Sequence, residues 1–385
     1  MSVLDKSFGI IGCGIGGLAV SIAIAKLGGH VVLFERAKKI TEVGAGIQIS
    51  ANGLSALADL GIELEHFNAI SKPLAIELRD YKVGSLMARI RQNQDVGFPY
   101  LQLHRADLMN ILIARAEKLG VTIFLDADAE VIDALSNHPK VQANGTTYNF
   151  DLIVGADGVN STTRQDWFNE GPAKFSGKVA WRATVPANII STVTTVYMGR
   201  GKHLVTYPLR GGQLINIVAV QECKEMVSEG WDNVGTLQSF CLEFSDFGPE
   251  VQKILSQVRH VKRWGLYTHS PLKTWSLNHL TLLGDAAHPM FPFMAQGACM
   301  ALEDASVLAR VINDTDDINH ALKSYEAIRK SRVTSVQNLA ARNGKIFHIS
   351  NMFMRICIHN ALRLISRFTP QLLERRFDWI YKHKI

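Results

Sequence analysis

The chain has few cysteines and none arranged for a metal or a disulfide framework. Cys13, Cys223, Cys241, Cys299 and Cys357 are scattered and odd in number; no pair has CxxC spacing, and no HExxH run occurs. That excludes a zinc ligand set of ordinary spacing, and reduced thiols in a cytoplasmic protein are expected. No internal repeat or low-complexity segment is present, and 47% hydrophobic with 20% charged residues is a globular balance that excludes disorder, collagen and coiled coil. Also missing are a Lys/Arg stripe interleaved with aromatics and any zinc-finger or RNA-recognition signature. The net charge of +6 is a property of one end: residues 341–385 hold nine Lys or Arg against Glu374 and Asp378, a balance of +7, so the remainder sums to −1. No nucleic-acid partner is expected. At 385 residues the chain suits two or three structural units and a core that needs no staple.

The first 25 residues invite a membrane or export reading. Ser7 to Ala25 is uncharged, follows Lys6, and ends in Ala23-Ile24-Ala25, which resembles a signal-peptidase site. Gly9, Gly12, Gly14, Gly16 and Gly17 argue against an apolar helix through this run. A strand at 7–11, a glycine turn, a helix at 15–28 and a second strand at His30–Phe34 account for it better. The glycines read Gly12-x-Gly14-x-x-Gly17, and Glu35 closes the second strand about twenty residues on, so the unit is expected to bind a dinucleotide with no domain preceding it. Gly12 allows the tight turn, Gly14 lets backbone approach a pyrophosphate, and Gly17 lets helix and strand pack closely. The helix N-terminus offers oriented N–H groups to the anion, and Glu35 can accept from a ribose diol while repelling a 2′-phosphate.

Beyond this unit helical and strand patterns alternate. Asn52–Leu60 and Asp107–Leu119 read as amphipathic helices, Thr122–Leu125 and Val131–Ala134 as short strands, and Asp151–Gly155 as an apolar strand ending at Asp157 between glycines. From about 175 to 270 β-branched alternation takes over in Thr192–Met198 and Leu214–Val220, with Gly211-Gly212 as a hairpin turn. The α/β texture returns at Leu280 and a long helical stretch covers about 297–345. A first domain is thus interrupted by a mostly antiparallel insertion and then completed. There is no second GxGxxG unit for a nicotinamide.

Three motifs carry a resemblance that covers nearly the whole chain: Gly12-x-Gly14-x-x-Gly17 with Glu35; Gly155-Ala156-Asp157-Gly158 followed by Ser161 and Arg164; and Gly284-Asp285-Ala286-Ala287-His288-Pro289, continued by Pro292, Gln296-Gly297 and Glu303-Asp304-Ala305. In this order they resemble the single-component flavoprotein aromatic hydroxylases of the para-hydroxybenzoate hydroxylase fold, nearest the salicylate hydroxylase-like branch. The resemblance implies an α/β fold: a Rossmann-like FAD-binding domain (1–75, 101–174 and 271–340) interrupted by a mostly antiparallel β-sheet substrate domain (76–100 and 175–270), with a C-terminal basic helical segment (341–385). It implies FAD as cofactor, NAD(P)H and O₂ as co-substrates, and hydroxylation of a phenolic or hydroxypyridine-type ring through a C4a-hydroperoxyflavin. Relatives have no separate nicotinamide domain either.

The resemblance also assigns residues. Asp285 is placed on the ribityl or phosphate groups of FAD. Gln296, Gly297 and Ala298 open a helix whose N–H groups face the flavin N1–C2=O edge, with Pro292 alongside. Arg105 in His104-Arg105-Ala106-Asp107-Leu108 reaches the cofactor, Gln48 approaches the ribityl chain, and Asp157 and Gly158 contact FAD and nicotinamide. Arg36, beside Glu35, is counted with the cofactor site. His288 is structural in this motif. In the β insertion Trp181-Arg182-Ala183, His203, Tyr207 and Asn216 are candidates for a substrate wall. His203 and Tyr207, four apart in a strand, project from one face; they suit holding and deprotonating a phenol, and equally suit a half-buried histidine and an interfacial tyrosine. Arg182 could meet a substrate carboxylate.

A halogenase is disfavoured, because Ala183 stands where Trp-x-Trp-x-Ile-Pro needs its second tryptophan. A polyprenyl-phenol hydroxylase touching membrane through the basic tail, an oxidase of a larger polycyclic phenol, and a non-enzymatic flavin sensor are the alternatives. The tail is expected to pack on the FAD-binding domain. A monomer or homodimer with a small aromatic substrate is expected.

Overall fold

The computed structural model describes residues 3–40, 46–67, 69–92, 99–187, 192–228 and 235–385. Gly44, which precedes Gln48 in the run Gly44-Ala45-Gly46-Ile47-Gln48, lies outside them. The fold is mixed α/β, with two large sheets and helices covering them.

One sheet has the spatial order Ser276–Leu277, Leu280–Leu282, Leu152–Gly155, Ser7–Ile11, His30–Phe34, Thr122–Phe124. Its neighbours are parallel apart from the first pair. The helix Ile15–Lys26 crosses over between the two strands that begin the chain's first unit. Leu18, Ala19, Val20, Ile22 and Ile24 are all fully buried on it, because helices Arg105–Lys118 and Gly297–Asn313 pack on its outer side. A helix buried on every side has no reason to be amphipathic, which explains the unbroken apolar run. At 12 residues the helix spans about 18 Å, too short for a bilayer. No described helix is long and apolar enough to cross a membrane. It ends at Lys26, two residues before the expected position, because Gly28 adopts φ +90° and turns the chain into the next strand.

The other sheet runs Lys262–Thr268, Lys174–Pro186, Leu214–Glu222, Lys202–Leu209, Val193–Met198, Ala75–Asp80, Leu86–Arg91. All neighbours are antiparallel except Val193–Met198 against Ala75–Asp80. That parallel pair joins two stretches distant in sequence. Side chains alternate across the sheet. On one face Val179, Trp181, Ala183, Leu204, Ile217 and Ala219 pack under Phe240, Phe244, Val251 and Leu255, supplied by helix Leu237–Glu243 with its C-cap residue Phe244 and by helix Pro249–Leu255. The opposite face is turned toward the glycine motifs.

The tail differs from expectation. Helix Ile318–Phe347 runs straight through residue 340, and a separate helix Met352–Phe368 follows. That second helix packs on the antiparallel sheet, not on the FAD-binding part. Its Leu362 and Ile365, together with Leu373 of the short helix Pro370–Arg375 that follows, meet Leu78, Met87, Ala88, Val196 and Met198. Arg363 donates to Ser85 Oγ at 2.9 Å, and Ser366 Oγ accepts from the Arg89 N–H at 3.1 Å. Only the last short helix, Asp378–Tyr381, returns to the first domain, where Ile380 is buried and Arg332 holds the Trp379 and Ile380 carbonyls. The sheet's edge strand Leu86–Arg91 has an apolar inner face that the sequence of the tail alone could not reveal. Leu373→Asp, which puts a carboxylate into this contact, is expected to lower Tm by ~5 °C or more; an unchanged melting curve would show that the tail contributes nothing to stability.

Candidate active site

A cavity of about 550 Å³ lies between the glycine motifs of the parallel sheet and the open face of the antiparallel one. Gly14, Gly158, Asp285, Arg105, Pro292, Gly297 and Ala298 line one part of it, and Arg182, His203 and Tyr207 another. Gly12, Gly17, Glu35, Arg36, Asp157 and Gln296 do not line it.

The three glycines of the first motif meet different physical demands. Gly12 has φ +101°, and a Cβ there would stand 2.5 Å from the Ala156 carbonyl oxygen. A Cβ at Gly17 would fall 1.9 Å from the Gly12 carbonyl oxygen. These two make the close packing of turn, helix and neighbouring strand. At Gly14 nothing lies within 4 Å of the Cβ position, although it caps the helix Ile15–Lys26 and lines the cavity. Open space at a helix N-terminus is the cradle an anion needs. A pyrophosphate fits there. Glu35 accepts from the Cys13 and Ala37 N–H groups, both at 2.9 Å, which fixes its carboxylate next to the glycine turn.

The second and third motifs are tied to each other. Buried Arg164, its N–H capped by Ser161 Oγ at 2.8 Å, donates to the Ala286 and Ala287 carbonyls, each at 3.1 Å. Asp157 turns away from the cavity and accepts from the Thr163 N–H at 3.1 Å and its hydroxyl at 3.0 Å, holding the start of helix Thr162–Trp167. Its neighbour Gly158, at φ +79°, faces the cavity instead. Asp285 is open to the cavity yet crowded by protein, which raises its pKa against the pull of His288 and Arg105.

Helix Gly297–Asn313 points its N-terminus into the cavity, and the Gly297 Cβ position has only Met290 and Asp285 near it, at 3.8 and 4.0 Å. The Gln296 side chain is not available to a flavin. Its Nε2 donates to Ser50 Oγ at 2.8 Å and its Oε1 accepts from Asn52 at 3.1 Å, both in the interior. Any contribution from this turn therefore comes from backbone. Below it Glu303 and Asp304, fully buried, are bound by Arg329, with Arg332 also on Glu303 and His288 Nε2 2.5 Å from Asp304. His288 does not line the cavity and is engaged by Asp304. Burial pushes both carboxyls up, but the arginines and His288 outweigh it and their pKa values are lowered. Arg329→Met leaves two buried carboxylates short of charge and is expected to cost about 3–5 kcal/mol at neutral pH. Since both folded-state values are depressed, that stability is present above the unfolded carboxyl pKa and fades as pH falls through the folded ones. Chemical denaturation of wild type and variant across pH 7 to 3 should show the gap narrowing at the acid end.

Across the cavity, strand alternation sorts the substrate-wall candidates. Arg182 faces inward, its guanidinium 5.4 Å from the Trp264 ring centroid. Trp181 and Ala183 point to the opposite face, into the helix-covered core, because odd and even positions of a strand diverge. Asn216 does not line the cavity either: fully buried, it accepts from the Gly46 N–H at 2.8 Å and so fixes the strand that carries Gln48. Gln48 accepts from the Tyr100 hydroxyl at 2.7 Å and is hydrogen-bonded to Tyr207. The Tyr207 ring is so close to Gly46 that a Cβ would stand 2.6 Å away. Burial holds the Tyr207 hydroxyl protonated, its pKa up to about 12. His203 lies between the Phe293 and Phe347 rings, with Nδ1 2.7 Å from His348 Nε2. Burial first, then the second imidazole, hold its pKa well below the usual value.

His348, Phe293, Tyr100, Tyr381 and Arg376 were not singled out from sequence. Four of them line the cavity, and His348 reaches it through His203. Phe293 stands within the stretch continuing the third motif, a signal that was available. His348 and the tail residues carry no local pattern.

The FAD binding domain family model matches residues 6–340. The chain is 34% identical to 3-hydroxybenzoate 6-hydroxylase 1 of Aquipseudomonas alcaligenes, over 97% of this chain and 96% of the relative. It is 30% identical to 6-hydroxynicotinate 3-monooxygenase of Pseudomonas fluorescens, over 87% and 90%. Among solved structures, a salicylate hydroxylase substrate complex has the same fold (TM-score 0.81, 23% identical, 98% of this chain and 95% of that one). Klebsiella pneumoniae HpxO complexed with FAD and uric acid matches with TM-score 0.81 at 25% identity, covering 93% of each. Fold and site together define an FAD-dependent aromatic hydroxylase, a monooxygenase that uses NAD(P)H and O₂. The chain belongs to the FAD binding domain family.

Proposed function

We propose that this protein hydroxylates a small carboxylated phenol or hydroxypyridine. The observation that carries the reading is the single cavity joining the open Gly14 cradle to the wall of His203, Tyr207 and Arg182. Among its described lining residues Asp285 is the only carboxylate, whereas Arg105, Arg182 and Arg376 bring positive charge. An anionic ring fits that balance. The relatives' names, a hydroxybenzoate hydroxylase and a hydroxynicotinate monooxygenase, belong to the same chemical class.

FAD, when bound, supplies the hydride acceptor and the oxygen-activating centre. Gly14 and the helix N-terminus would hold the pyrophosphate, with Gly12 and Gly17 shaping the turn that presents them; Glu35 and Arg36 would serve the adenosine end, and Arg105, Asp285, Gly158 and Pro292 would border the rest. The N–H groups of Gly297 and Ala298, backed by the Gln296 network, would serve the flavin ring. Asp157 supports the site by orienting Gly158. Arg182 receives the substrate carboxylate, Tyr207 donates to the substrate oxygen and is itself oriented by Gln48, and His203 withdraws the phenolic proton. Loss of that proton makes the ring more nucleophilic ortho and para to the oxygen. The apolar walls exclude water. In this reading the FAD-binding unit comprises 1–75, 101–174 and 271–340, and the substrate unit 76–100 and 175–270. The protein acts in the cytoplasm, as a monomer or homodimer.

A panel of hydroxybenzoates and hydroxypyridine carboxylates should include one that stimulates NAD(P)H consumption with a product 16 mass units heavier, or lighter by the exchange of carboxylate for hydroxyl. If only uncarboxylated phenols respond, the role of Arg182 fails. One observation favours a second reading, action on a polyprenyl phenol at a membrane: Phe353, Ile356, Leu364, Phe368 and Leu372 are exposed among Arg367, Arg375 and Arg376. Flotation with anionic vesicles decides it, since protein left wholly at the bottom of the gradient rules it out.

A further inference from the structure

His203 is one end of a chain of titratable side chains. Its Nδ1 is 2.7 Å from His348 Nε2, which leaves Nε2 as its nitrogen for a ligand in the cavity. On the far side of the second ring, buried His348 Nδ1 has no hydrogen-bond partner and stands 3.4 Å from Glu222 Oε1. The Glu222 side chain is 54% exposed. Backbone bonds hold the three together: the Glu222 N–H donates to the Gly201 carbonyl at 2.8 Å, and the Gly201 N–H donates to the His348 carbonyl at 3.1 Å. The end of helix Ile318–Phe347 is thereby pinned to the hairpin that carries His203.

Two imidazoles with nitrogens 2.7 Å apart share one proton between them. Between Phe293 and Phe347 an imidazolium is costly, so a base that had to keep the proton it takes would work poorly there. Lys178, from the strand beside Leu214–Glu222, faces His348 and, after burial, adds to holding it neutral, with a pKa of about 3. Phe293 and Phe347 bring no charge, Ser350 bonds only the His348 carbonyl, and Glu222 is the carboxylate that faces the pair.

Resting on the assignment of His203 as the base, we propose that His203, His348 and Glu222 form a proton relay from the cavity to solvent. His203 Nε2 takes the phenolic proton, the Nδ1 proton of His203 passes to His348 Nε2, and the Nδ1 proton of His348 passes to the Glu222 carboxylate, from which water removes it. One O–H bond breaks at the substrate and one forms at Glu222. Each imidazole ends neutral in its other tautomer, and the phenolate's negative charge replaces the carboxylate's. No buried cation is formed at any completed stage. The reverse sequence reprotonates the product and restores both tautomers.

The test uses oxidised holoenzyme mixed in stopped flow with saturating 4-nitrophenol below its own pKa, reading the rise of phenolate absorbance. Glu222→Gln, at the surface, is expected to slow that rise by about tenfold or more, and added acetate or imidazole should restore it, because the lost acceptor is reachable from solvent. His348→Phe should be slowed at least as much and not be restored. A merely structural contribution of Glu222 would show no dependence on buffer concentration. His203→Gln should lose the phase altogether. If His203→Gln ionises the probe as fast as wild type, the base assignment falls and the relay with it. If His203→Gln alone is slow, while Glu222→Gln matches wild type at every buffer concentration, the base stands and the relay is overturned. That criterion holds even where His348→Phe fails to retain flavin.

Discussion

Gly14→Asp is expected to give a folded, colourless protein. Its Cβ position is empty, with nothing within 4 Å, so the side chain enters without displacing any described atom. Its carboxylate, however, would lie in the space at the start of helix Ile15–Lys26, the proposed pyrophosphate cradle. Two anions cannot share that cradle, and the helix dipole would be satisfied by the wrong one. Flavin absorbance after gel filtration should fall from near-stoichiometric to background, while the far-ultraviolet dichroism stays that of wild type. Gly17→Ala should behave in the opposite way. Its Cβ would collide with the Gly12 carbonyl oxygen at 1.9 Å, so turn and helix must separate and the apoprotein itself should melt earlier. Retention of full flavin absorbance by Gly14→Asp would show that the first glycine motif does not hold the cofactor.

The second large effect concerns His203→Gln. Flavin content should be unchanged, because His203 stands on the antiparallel sheet, across the cavity from the glycine motifs. Product formation should fall by ~10²-fold or more, the usual worth of a positioned general base. As pH rises past the substrate's own phenol pKa the loss should shrink, since an already ionised substrate needs no base. A loss independent of pH, accompanied by a lowered Tm, would mean that the histidine only packs. Stability gives a separate signature. The folded-state pKa values of His203 and His348 are both lowered, so below the unfolded histidine pKa of about 6.5 the unfolded chain binds more protons than the folded one. Wild-type Tm should therefore decline as pH drops from 7 to 5, and less steeply in His203→Gln. Tyr207→Phe should act more mildly, weakening orientation of the ring, with peroxide released in place of product.

The first βαβ unit was legible in the sequence because its constraints are local. Gly12 is required by its own positive φ and Gly17 by its contact with the Gly12 carbonyl five residues away, and the apolar runs at 7–11 and 30–34 suit buried strands. The sequence of Lys202–Leu209 likewise determined that His203 and Tyr207 share a face, since a strand has period two. The same rule applied to Trp181-Arg182-Ala183 would have separated Arg182 from its neighbours, which alternation places in the opposite core.

Other features depended on packing between segments far apart in the chain. Gln296 looks like a cofactor ligand by position, yet contacts with the distant Ser50 and Asn52 direct its side chain into the protein, whereas Asp157 is turned inward locally, by Thr163 six residues on. The tail's partner was decided by which surface needed covering. Strand Leu86–Arg91 forms the sheet's edge with an apolar inner face, and Leu362, Ile365 and Leu373 cover it. His348 had no signal at all, being one histidine at the end of a long helix. It meets His203, 145 residues away in sequence, only because that helix ends against the hairpin. Local spacing therefore determined the dinucleotide unit and the faces of individual strands. The partners of the sheet's cavity face were set by helices that arrive from the other end of the chain, and no periodicity within either segment encodes that encounter.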